Sequence, residues 1–140
     1  MISALTVKET NSDVRVGLKA LFYWATHGRA DVERCFENAK RDIYVDLVGD
    51  LSDTNLLLLK AVTLVSDKFA KRVFIAYHDL ARRNKEKACS YVHFYNQLSY
   101  LQSLGLVMLL STKVDRTYAN RVSLLCSEDI IRQIYHIRFQ

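Results

Sequence analysis

Proline is absent from the 140 residues, and glycine occurs only four times. Helix ends must therefore be set by capping side chains and by a few glycines. Cysteine is also scarce. Cys35, Cys89 and Cys126 are odd in number and far apart, which argues against a disulfide framework and for buried thiols in a reducing compartment. No apolar run approaches the roughly 20 residues of a membrane span, since Leu56–Leu59 is closed at once by Lys60. The opening Met1-Ile2-Ser3-Ala4 lacks the basic and apolar segments of a secretory signal. The chain thus reads as cytoplasmic, with no membrane partner. His27, His78, His93 and His136 have no cysteine at ligand spacing, so no metal site is expected. G-x-x-x-x-G-K-[ST], G-x-S-x-G and H-E-x-x-H are all missing, which argues against an enzyme. There is no internal repeat and no low-complexity segment.

What is present is a basic second half. Residues 1–53 carry seven Lys/Arg against nine Asp/Glu, whereas residues 54–140 carry thirteen against six. The net charge of +5 thus belongs to the C-terminal part, where it favours a polyanion through steering and counterion release.

Periodicity divides the chain into helices and one hairpin. Ser12 or Asp13 caps a first helix with Val14, Leu18, Leu21, Phe22 and Ala25 inward, closed by Gly28. Its other faces hold Val16, Ala20, Tyr23 and Trp24, so it is apolar nearly all round. Such a helix needs cover on several sides, which suggests a missing domain or self-association. A second helix runs from about Asp31 to Leu47 with Val32, Cys35, Phe36, Ala39, Ile43 and Leu47 inward. A third follows the Ser52 or Asp53 cap, and a fourth spans Phe69 to Arg83 with Phe69, Val73, Tyr77 and Leu80 inward.

The fifth helix is the clearest signal. Ser90 caps it, Phe94, Leu98, Leu101 and Leu104 share one face, and Gly105 can stop it in the left-handed conformation. Leu106–Leu110 and Val122–Cys126 then read as paired strands around a polar, cationic turn, Lys113–Arg121. Ser127 caps a last helix with Ile130, Ile131, Ile134 and Ile137. A helix followed at once by a hairpin with a basic tip is the layout of a winged helix, whose helix enters a DNA groove while the wing touches backbone or minor groove. The fold class is mainly α with a small β-hairpin wing, a winged helix-turn-helix preceded by two helices, divided between residues 50 and 51. On the outer face of the fifth helix, Ser90, His93, Asn96, Gln97 and Tyr100 are the candidates for base contacts, since Asn and Gln can pair bidentately with adenine. Lys113, Arg116 and Arg121 on the wing, with Arg82, Arg83, Lys85 and Lys87 before the helix, are the candidates for phosphate contacts. Tyr91, Val92, Phe94 and Tyr95 make the start of that helix aromatic enough to serve a protein interface instead. A stand-alone winged-helix transcription regulator fits the same pattern.

Leu51-Ser52-Asp53-Thr54-Asn55-Leu56-Leu57-Leu58-Leu59-Lys60-Ala61-Val62, Val73-Phe74-Ile75-Ala76-Tyr77-His78-Asp79-Leu80 and Leu98-Ser99-Tyr100-Leu101-Gln102-Ser103-Leu104-Gly105-Leu106-Val107 resemble a known family. They look like the C-terminal winged-helix domain of archaeal replication initiators of the origin-recognition and cell-division-control type. Residues 12–48 resemble the closing helices of the AAA+ ATPase lid that precedes that domain. The resemblance implies duplex-DNA binding in replication initiation. It also implies that Arg15, within Ser12-Asp13-Val14-Arg15-Val16-Gly17-Leu18, is the sensor-2 arginine that reaches nucleotide phosphates. Two positions depart from the family: Ser12 stands where glycine is usual, and Tyr91-Val92-His93 replaces an opening with cations. The second implies weaker phosphate affinity from this helix. Without a P-loop, Arg15 alone binds no cofactor, and ATP enters only with an ATPase core in a longer protein. The chain therefore reads as an initiator fragment or a truncated relative, with duplex DNA, an ATPase core or other replication proteins as partners.

Overall fold

The structure is a computed structural model that describes residues 1–10, 13–27 and 31–140, leaving aside the side chains of residues 9 and 10. Among the described residues the elements run α1 (Ile2–Thr10), α2 (Val14–Thr26), α3 (Val32–Gly49), α4 (Asp53–Leu64), α5 (Ala70–Arg83), α6 (Tyr91–Ser103), β1 (Val107–Val114), β2 (Thr117–Leu124) and α7 (Glu128–Phe139). They form two compact units, Met1–Leu47 and Val48–Gln140, which divide within α3. The expected cap at Ser12 and stop at Gly28 lie outside the described residues.

The first unit holds a helix that periodicity does not announce. α1 follows no capping residue, and its Ile2 and Leu5 pack on a small core of Val16, Ala20, Phe36 and Ala39. Gly17 lets α1 approach, because a Cβ there would stand 2.7 Å from the hydroxyl of buried Thr6. This packing inverts the face expected of α2. Val14, Leu18, Leu21 and Phe22 are exposed, and Val16 and Ala20 are buried in their place. The physical reason is that α2 is apolar on every side, so spacing cannot choose a face. The choice falls to the small residues Gly17 and Ala20, which let neighbours come close. The N-cap of α2 is Asp13, whose carboxylate accepts from the Arg15 N–H at 3.0 Å.

The second unit is built around α4. Leu56, Leu57, Leu58, Leu59, Ala61 and Val62 are all buried, so this helix is covered on several sides, with α5 and α7 packed against it. Ser52 caps α4 by accepting from Asn55 N–H at 3.3 Å, and Ser127 caps α7 by accepting from Asp129 N–H at 3.3 Å. α5 contributes Val73, Tyr77 and Leu80 to the core, and α6 contributes Phe94, Leu98 and Leu101. The expected inward stripe of α7 stops short: Ile130 and Ile131 are buried, but Ile137 is 81% exposed. Arg138, from the same last turn, reaches the carbonyls of Leu51 at 2.5 Å and Gly49 at 2.6 Å.

α6 ends where expected. Gly105 has φ +76°, a conformation strained for any residue with a Cβ. The hairpin is longer than its apolar runs. β1 and β2 pair from Val107↔Leu124 out to Val114↔Thr117, so the turn is Asp115-Arg116 rather than the nine residues Lys113–Arg121. Those residues are polar because the outer part of the ribbon is exposed, while Val114, Thr117 and Tyr118 still favour strand. The base of the wing is tied down by an antiparallel bridge between Phe69 and Arg121, in which Val122 N–H donates to Lys68 O at 2.8 Å.

Candidate nucleic-acid interface

The site is built from α6, the wing and the first turn of α5. Burying Phe94, Leu98 and Leu101 leaves the opposite face of α6 in solvent. His93, Asn96 and Tyr100 are exposed there and Gln97 is half-buried at the edge. α6 contains no carboxylate, so nothing on this face repels a polyanion. Ser90 is the N-cap, its hydroxyl oxygen accepting from His93 N–H at 3.4 Å, which leaves its O–H free to donate. The Gln97 amide and the His93 imidazole meet at 3.0 Å, so these two candidates are partnered with each other. The side chains of Asn96 and Tyr100 make no hydrogen bond among the described residues.

The cations fall into two sets. Arg82 and Arg83 close α5, and Lys85 and Lys87 lie in the connection to α6. Lys113 stands near the end of β1, and Arg116 is in the turn itself. All six are exposed, and none makes an ion pair among the described residues, so their charge is available to an external anion. Arg121 is placed differently. Its Nε donates to the carbonyl of Asp67 at 3.0 Å, and its guanidinium lies 5.3 Å from the Phe69 ring centroid. It fastens the wing base to the start of α5.

Sequence spacing gave no hint of a groove between α5, α6 and the wing. This cleft, about 470 Å³ in volume, is lined by Lys71 and Arg72 from α5, Tyr91 and Tyr95 from α6, and Tyr118 and Asn120 from β2. Strand alternation explains the wing's share. Tyr118 and Asn120 lie on the same ribbon face as buried Val122, so the face that packs on the core continues outward as the groove wall. The Tyr91 hydroxyl donates to that of Tyr95 at 3.4 Å, and this hydrogen bond pushes the Tyr91 phenol up to about 12. Beneath it, Phe74 meets Tyr91 edge-on at 5.0 Å and Phe94 at 5.1 Å. The aromatic start of α6 is therefore partly core and partly groove wall.

In the first unit, Arg15 is engaged with its own cap. Its Nε and Nη2 donate to the two carboxylate oxygens of Asp13 at 3.0 and 2.7 Å. The Arg15 hydrogen bond holds the Asp13 carboxyl below its ordinary range. To reach a phosphate, Arg15 must leave this bidentate pair. Among the described residues there is no cluster of three or more His, Cys, Asp or Glu that could hold a metal ion, and no helix long and apolar enough to cross a membrane.

Three helices, a two-stranded wing and a closing helix define the second unit as a winged helix, with a small helical unit before it in sequence. No family model matches the chain, and no curated protein matches it in sequence. In three dimensions the chain is similar to the ORC1 protein of Aeropyrum pernix, solved in complex with DNA, with a TM-score of 0.79 and 18% identity. The match covers 99% of this chain and 40% of that one. The fold expected from the sequence, a winged helix preceded by a small helical segment, is therefore the fold observed, and the chain spans two fifths of that neighbour's length.

Proposed function

We propose that this chain binds duplex DNA through its second unit, as part of a replication initiator, and is not catalytic by itself. The observation that carries the reading is the exposed face of α6, free of carboxylates, flanked by cations that make no ion pair among the described residues. α6 lies in the major groove with Asn96 and Tyr100 towards base edges. His93 and Gln97 act there as a hydrogen-bonded pair. Lys113 and Arg116 hold one stretch of backbone, and Arg82, Arg83, Lys85 and Lys87 another. Phosphate contacts of this kind set register, and the α6 side chains read sequence. The initiator role is supported by the likeness to ORC1 in complex with DNA, and it carries a cytoplasmic location with it. On the same reading Arg15 is the sensor arginine of an ATPase whose core lies outside these residues, released from Asp13 when a nucleotide is present.

Asn96→Ala tests the base-reading face. A duplex enriched from a random pool by the wild-type chain should lose about 1–3 kcal/mol of affinity on this substitution, at one base position, with little change on unrelated duplexes. A pool that shows no enrichment, or an equal loss on every duplex, contradicts base reading by α6. A second reading rests on Val92, 72% exposed on a helix that has no cation of its own. On that reading α6 docks a protein, and Val92→Ser would weaken that complex and leave DNA binding intact.

A further inference from the structure

The groove between α5, α6 and the wing has a chemistry that duplex contacts do not require. Paired bases are stacked on one another and show a protein only their edges. A tyrosine ring offers little to a phosphate, but it offers an unstacked base a face. Here three tyrosines wall one cleft. Tyr118 is 76% exposed and Tyr91 39% exposed, so their rings are open to a ligand. The Tyr91–Tyr95 hydrogen bond and an edge-on ring contact at 5.1 Å fix the α6 wall before any ligand arrives. The cleft's volume of about 470 Å³ lies within the range of clefts, roughly 300–1,000 Å³, that enclose a small organic group.

The rim supplies the charge that such a ligand needs. Lys71 is exposed and makes no ion pair among the described residues. Arg72 uses Nε on Asp67 at 3.1 Å, which leaves its terminal nitrogens free to donate. Asn120, exposed on the same wall, brings an amide that can donate and accept against the edge of a base. Aromatic faces with cations along one side are the features that hold single-stranded nucleic acid, where each stacked base is sequence-tolerant.

We propose that this groove takes an unpaired nucleotide of DNA, its base against Tyr118 and Tyr91 and its phosphate on Lys71 and Arg72. The inference rests on the reading of the second unit as a DNA-binding unit. It adds that the chain engages a strand that has left the duplex, on a different surface from the outer face of α6.

Fluorescence anisotropy on the full chain separates the two claims, using an oligothymidylate of about 20 nucleotides and a duplex of about 20 base pairs. The wild-type chain should bind both. Tyr118→Ala should weaken oligothymidylate binding about five- to tenfold and duplex binding less than about twofold, and Tyr118→Phe, which keeps the ring, should stay within about twofold on both. Because Tyr118 is exposed on the wing, neither variant disturbs the core. Duplex binding without oligothymidylate binding overturns the groove assignment and leaves the α6 reading standing. An equal loss on both ligands, or a Tyr118→Phe variant as weak as Tyr118→Ala, overturns it too. Oligothymidylate binding that depends on Tyr118, in a chain that ignores duplex, supports the groove and contradicts the α6 reading. A wild-type chain that binds neither overturns both.

Discussion

Removing the two outermost cations of the wing, in the double variant Lys113→Ala/Arg116→Ala, gives a prediction whose size follows from their placement. Both side chains are exposed at the tip, neither makes an ion pair among the described residues, and so each can neutralise one phosphate. Each neutralised phosphate contributes about −0.9 to the slope of log affinity against log salt. The double variant should therefore be shallower by about 1.8. At about 0.15 M salt one such contribution is worth about 1 kcal/mol, so two make about 2 kcal/mol, or about thirtyfold in Kd, and the difference vanishes on extrapolation to about 1 M. The assay is a set of anisotropy titrations of one duplex across several salt concentrations, with thermal melting as a control for folding. Arg121→Ala supplies the internal contrast. Because Arg121 is fastened at the wing base to the Asp67 carbonyl and the Phe69 ring, its loss should lower stability by about 1 kcal/mol and change the slope by less than one phosphate's share. A double variant with the wild-type slope, or an Arg121→Ala slope reduced as much as that of the double variant, refutes this assignment of cations.

Two further predictions concern stability. Arg138 donates to the Gly49 and Leu51 carbonyls and to Asp53 at 3.3 Å. Arg138→Ala should therefore cost about 2 kcal/mol, read as a fall in Tm of about 10 °C, and an unchanged Tm would show that water replaces these bonds at no cost. Burial pushes the Tyr77 phenol up to about 12 and the Cys126 thiol up to about 11. Both groups ionise at lower pH once unfolded, so the folded state binds more protons and its stability is complete only below the unfolded values. Melting curves should stay constant up to about pH 9 and then fall through pH 11, and Cys126→Ala should delay the start of that fall. A Tm that is flat across this window contradicts the burial of both groups.

Serines gave the clearest local signals. Ser52, Ser90 and Ser127 each stand immediately before a helical periodicity, and each accepts a first-turn N–H, because a cap is decided by its own few neighbours. The inward residues of α6 were legible for a similar reason, since an apolar stripe facing polar residues has only one way to bury. Orientation in α2 was not legible. Its apolar residues surround the axis, and contact with α1 and α3 chose the Val16–Ala20 face. The length of the wing was hidden because Lys113–Arg121 is polar on both faces, so pairing there rests on backbone bonds and register rather than on burial. The groove could not be read at all. Lys71, Tyr95 and Tyr118 are distant in sequence, and only the packing of the wing against α5 and α6 brings them to one cleft. Arg121 shows the converse: by residue type it matches Lys113 and Arg116, but its hydrogen bond separates it from them.

If the second unit meets duplex DNA through α6 and the cations beside it, duplex binding by the wild-type chain must depend on salt. Affinity should fall linearly on logarithmic axes between about 50 and 300 mM salt, each neutralised phosphate adding about −0.9 to the slope. No duplex binding at the lowest salt, or an affinity that salt does not change, would contradict duplex binding through α6 and the wing.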